Sequence, residues 1–141
     1  MNRLQPTNQR GRGRKLAGLD IDEFEAVEAQ ITSARDEFLV LVKKSPHDAL
    51  SKFKLDIVNM LLNRANELLA NERPISDFDQ FDNDTLPSVS DTVMVFGQYL
   101  AALENLRVKN IQAKNMWWYW TSDGERTERR TYPPRKLAKQ S

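Results

Sequence analysis

The sequence predicts an all-α protein, an antiparallel three-helix bundle with basic ends outside the packed core. Three observations predict it. Apolar residues recur every three or four positions through three long segments, the period of an amphipathic helix. Five Gly and six Pro lie mostly outside those segments. At 141 residues, with 40% apolar and 29% charged residues, the chain is long enough to bury roughly two thirds of its unfolded surface in one core. The expected division is a disordered basic tail over 1–18, the bundle over 19–120, and a basic C-terminal tail or short hairpin over 121–141.

The first segment, Met1 to Gly18, carries a net charge of +5 without apolar periodicity, the composition of a chain that does not fold alone. Leu19 to Lys44 reads as the first helix. Asp20 can cap it with Glu23 three residues on, and Lys43 and Lys44 suit the negative end of its dipole. Phe24, Val27, Ile31, Ala34, Phe38 and Leu41 form its seam. Ser45-Pro46-His47-Asp48 matches a second capping pattern, so a second helix is expected from Pro46 to about Asn71, antiparallel to the first. Its stripes are Leu50, Phe53, Ile57 and Leu61, and Leu55, Val58, Leu62, Ala65 and Leu69. A charge at Ile57 or Leu61 is expected to unfold the bundle.

Arg73-Pro74 ends that helix, and Ile75 to Thr85 is an acidic, aromatic loop. The third helix, expected from Ser88 to Trp118, has the clearest start: Pro87, then Ser88 with Asp91 three residues later. One stripe runs through Val89, Val93, Phe96, Leu100 and Leu103, a second through Val95, Tyr99, Ala102 and Leu106. Two neighbours are needed to cover both, which gives up-down-up topology. Beyond it, Asp123-Gly124 is a strong two-residue turn signal between β-favouring runs. A hairpin there would set Trp120 against Thr127 and Trp118 against Arg129. The competing reading, taken as the expectation, continues the helix to about Trp118. Pro133-Pro134 onward is expected to be extended.

Charge is uneven although the net is only +1. The last 21 residues carry +3, which by difference leaves −7 on the body. Basic ends on an acidic body suit an anionic partner, or tails that fold back on the body. Arg10, Arg12, Arg14 and Lys15 alternate with Gly, so nothing obstructs close approach to a groove or a phosphate. The run resembles the core of an AT-hook at Arg10-Gly11-Arg12 and Arg12-Gly13-Arg14, without the Pro that follows in that motif. The resemblance implies DNA minor-groove contact, and the bland alternative is a solubilising tail. Trp117, Trp118, Tyr119 and Trp120 beside Arg126, Arg129, Arg130, Arg135 and Lys136 have the composition of a single-strand or RNA contact. The alternative is aromatic lids on the core with arginines laid over them.

Asp77, Phe78, Asp79, Phe81, Asp82 and Asp84 form a candidate protein-binding loop. Their spacing does not meet the calcium-loop pattern, so no metal is expected. With no Cys, thiolate nucleophiles and cysteine-based metal sites are excluded. His47, alone near Asp48, has no nucleophile partner, and the helix acids read as solvated faces. No enzyme, cofactor or small-molecule substrate is expected. No run approaches the roughly 20 apolar residues of a membrane span, so a soluble, intracellular setting is expected. The leading expectation is a noncatalytic binding protein on nucleic acid or a nucleoprotein assembly, with self-association or a protein partner for the bundle. The rivals are an adaptor or chaperone-like subunit without nucleic-acid contact and a bundle enzyme with paired carboxylates.

Overall fold

A computed structural model describes residues 18–135. The fold is α+β rather than the expected all-α bundle: three helices, α1 (Ile21–Lys44), α2 (Lys52–Leu69) and α3 (Val89–Val108), are followed by β1 (Ile111–Lys114), β2 (Trp117–Ser122) and β3 (Glu125–Thr131). The strands form one antiparallel meander in the order β1-β2-β3.

Two helix starts fall where their sequences indicate. Asp20 accepts the Glu23 amide at the head of α1, but the expected box is not closed because the Glu23 carboxylate goes to Arg64, whereas Ser88 with Asp91 forms a reciprocal capping box at the head of α3. The second helix begins six residues later than expected. Residues 46–50 pair instead with 87–90, through Leu50 N–H to Pro87 O, Val89 N–H to Asp48 O and Ser90 N–H to Pro46 O. Those bonds satisfy the backbone in an extended form, and Ser51 becomes the cap of α2.

This pairing also sets the topology. It places the heads of α2 and α3 side by side at the tail of α1. At the other end Tyr99 Oη donates to Asn66 Oδ1 at 2.7 Å, and Lys109 meets Glu72 at 2.9 Å. Thus α2 and α3 run parallel and both oppose α1, which corrects the up-down-up order. The chain after α2 must return along the helix, and an asparagine ladder holds this strap. Asn59 exchanges two 3.0 Å bonds with the backbone of Phe81, Asn63 donates to Gln80, and Asn66 donates to Asp79 O. Spacings of four and three put all three asparagines on one flank of α2.

The core joins Phe24, Val27, Ile31 and Phe38 of α1, five side chains of α2 led by Leu61 and Leu62, Phe96, Tyr99 and Leu103 of α3, and Ile111 and Trp120 of the sheet. One expected α2 stripe is half wrong. Leu50 and Leu61 are buried, but Phe53 is 73% and Ile57 39% exposed, because the strap and α1 flank α2 and leave its outer side uncovered.

The third helix stops at Val108, ten residues before the expected end. Asn110 is the reason: its amide donates to Leu106 O, taking a carbonyl that a further helical turn would use, while its own carbonyl accepts the Thr121 amide. The chain then makes two tight turns with positive φ at both central residues, Asn115-Met116 and Asp123-Gly124, the backbone that two-residue hairpins require.

Candidate functional site

Strand alternation divides the four consecutive aromatics of β2. Trp118 and Trp120 face the helices. Trp120 is buried against Phe24, edge to face at 5.1 Å, and its indole N–H donates to Glu25 at 3.0 Å. Trp117 and Tyr119 occupy the opposite face, and Trp117 stays 52% exposed.

The register determines what accompanies them. Directly paired residues share a face, so Lys114 opposite Trp117, Gln112 and Arg130 opposite Tyr119, and Arg126 opposite Thr121 all lie on the outer side. Arg130 covers the Trp117 ring with its guanidinium 3.6 Å from the centroid, and Arg126 lies 5.0 Å from that of Tyr119. Among the described residues no carboxylate holds a paired position on this face: Glu125 pairs with Ser122 and belongs to the other, and Glu128, exposed between Arg126 and Arg130, lies in the irregular stretch of β3 outside the ladder. The outer face therefore combines two aromatic rings with three cations.

Near the turn the strands keep the register a two-residue loop dictates, Ser122 opposite Glu125 and Thr121 opposite Arg126. Farther along, Trp118 meets Thr131 instead of Arg129, because β3 bulges between Arg126 and Arg130. Thr127 supports the bulge, its hydroxyl donating to Trp120 O at 2.8 Å and accepting the Arg129 amide. The bulge frees Arg129 from the ladder, and it reaches Asp22 at 2.6 Å and Glu25 at 2.5 Å. Those two carboxylates hold its pKa above the ordinary guanidinium value. Arg135 pairs with Glu28 at 2.6 Å, so Asp22, Glu25 and Glu28 form a row on α1 that the chain's own arginines neutralise.

Beneath the segment after β3 lies a buried ion pair. Arg107 is 1% exposed and spends all five of its N–H groups: two on Glu104, and the others on Thr131 Oγ1, Tyr132 O and Pro133 O. Burial pushes the Glu104 carboxyl up, but the Arg107 and Arg135 hydrogen bonds and charges outweigh it and hold the group below its ordinary range. The segment after β3, expected to begin a free basic tail, is thus docked as far as Arg135.

The candidate residues accordingly separate. Trp117, Tyr119, Arg126 and Arg130 come together on the outer face. Trp118 and Trp120 go to the core side, and Arg129 and Arg135 to the α1 acid row. Arg10, Arg12, Arg14, Lys15 and Lys136 lie outside the described residues. Gly18 sits beside the β2–β3 turn, close to Ser122 and Asp123. Lys114 was missed by the sequence reading; its signal, directly before a turn and three residues before Trp117, needs the first hairpin to be visible.

The acidic loop is the strap itself. Phe78 and Phe81 pack edge to face at 5.3 Å against the core, Asp79 pairs with Arg73, and the carboxylates of Asp77, Asp82 and Asp84 are exposed. Among the described residues no three His, Asp or Glu side chains converge to hold a metal, and no helix is long and apolar enough to cross a membrane. No protein family matches the chain, and comparison with curated proteins and with solved structures finds no match.

Proposed function

We propose that the protein is a noncatalytic binding protein that attaches to nucleic acid through the outer face of its sheet. The observation that carries this reading is the segregation on that face of Trp117 and Tyr119 with Lys114, Arg126 and Arg130, without a carboxylate at any paired position. Cross-strand stabilisation accounts for arginines lying over rings. It does not account for three cations that form no ion pair among the described residues, even with Glu128 between Arg126 and Arg130, while Arg129 and Arg135 are each matched to acids on α1.

Phosphate contacts release counterions, so affinity falls with salt. Three contacts give a slope of log K against log salt of about −2 to −3. Titration of the full chain into mixed DNA and RNA at several salt concentrations checks this, with a Lys114→Glu, Arg126→Glu, Arg130→Glu variant as the control. Salt-insensitive association, or none, removes the reading.

A second reading, an adaptor subunit of a protein complex, draws on a different surface. Phe53, Ile57 and Met60 follow a four-three spacing on the outward side of α2 and are all exposed. A protein complex that survives the sheet-face variant but is lost on Phe53→Asp would favour it.

A further inference from the structure

We infer that the nucleic acid taken by this face is a single strand, held extended along β2 with two successive bases against Trp117 and Tyr119; the inference rests on the nucleic-acid reading above.

The two rings are two residues apart on one strand, which separates them by about 7 Å. That is roughly twice the ~3.4 Å step between neighbouring nucleotides in a duplex strand. Two adjacent bases can reach both rings only when they no longer stack on each other. In a duplex each base face is covered by its neighbours, leaving edges and phosphates. A face built from aromatic rings therefore offers a duplex only its cations, and offers a single strand both its cations and its rings.

The cations are placed for the exchange that binding needs. In the free protein Arg130 lies 3.6 Å over Trp117, and Arg126 lies 5.0 Å over Tyr119. A base that stacks on either ring displaces the guanidinium, and the displaced cation is then one side-chain length from the phosphate of the same nucleotide. Each position replaces one cation-π contact with a base stack and a charge-assisted phosphate contact. Lys114, opposite Trp117, extends the track past one end. At the other end Arg126 opposes Thr121 beside the turn that Gly18 touches.

The test uses the full chain with short labelled oligo(dT), oligo(U) and a blunt duplex of equal length, read by anisotropy, with thermal melts of each variant. Either single strand should bind more tightly than the duplex. Trp117→Ala and Tyr119→Ala should each weaken single-strand binding by about 5- to 150-fold with duplex binding and melting temperature unchanged. Arg130→Ala should flatten the salt slope by about 1. If duplex and single strand bind equally and the ring variants change nothing, while the triple charge reversal still abolishes binding, the inference falls and the nucleic-acid reading stands. If no probe binds the native chain, both fall.

Discussion

Trp117 and Tyr119 share one strand with Trp118 and Trp120, yet the two pairs live in different surroundings. The inner pair meets Phe24, Glu25 and the helical core; the outer pair meets guanidinium groups and water. The cations divide in the same way. Arg107, Arg129 and Arg135 are consumed by Glu104, Asp22, Glu25 and Glu28, while Lys114, Arg126 and Arg130 stand on the outer face. Residue type does not separate stabilising from available groups here. Position in the pleat, together with one bulge, does.

Truncating one ring of each pair should separate the two environments by several kcal/mol. Trp120→Ala should cost about 3–5 kcal/mol, the range for deleting a buried aromatic. Trp117→Ala should stay within about 0.5 kcal/mol, as exposed substitutions do. Equal losses in denaturant titrations of the two variants would erase the inner and outer distinction.

Glu104→Ala isolates the buried cation and should cost about 3–5 kcal/mol, because Arg107 is then left buried without its counter-charge. The pair also predicts an acid response. The folded-state pKa of Glu104 lies below its unfolded value of about 4.5, so its contribution is fully present above that pH. It is lost as pH falls through the lowered folded value. Melting curves of the wild type should therefore drop across that acid range, and Glu104→Gln should be less stable at neutral pH but flatter there.

Arg129→Ala and Arg130→Ala form the next comparison. The first should lower the melting temperature slightly at low salt, an effect that fades as salt screens its exposed carboxylates, with nucleic-acid binding unchanged. The second should leave melting unchanged and weaken binding. Within α2, Ile57→Asp at a 39% exposed position should cost less than about 1 kcal/mol, whereas Leu61→Asp on the buried side of the same helix should abolish folding. Circular dichroism distinguishes the two.

Much of the helical part was legible because caps and periodicity are local. Asp20, Ser88 and Asp91 act as their spacing indicates, and the seam of α1 packs as read. What was not legible depends on partners distant in sequence. Ser45-Pro46 looks like a helix start until residues 87–90 pair with the residues after it. The return strap is held by Asn59, Asn63 and Asn66, which read in sequence only as polar helix residues. The meander was half visible: Asp123-Gly124 announces its turn, but Met116 at φ 75° carries no turn signal, and without the first hairpin the aromatic run looks like helix. The outer face follows only once both hairpins are known, so sequence alone does not separate Trp118 and Trp120 from Trp117 and Tyr119 or bring Lys114 beside them.

The acid row on α1 has a consequence for how the chain leaves the ribosome. Asp22 emerges 107 residues before Arg129, the partner that neutralises it. Until Arg129 and Arg135 have been added, Asp22, Glu25 and Glu28 lack the cations that neutralise them in the folded protein. A polypeptide stalled just upstream of Arg129 should keep those carboxylates unmatched, so its α1 acid row stays open to cationic partners until Arg129 and Arg135 are made.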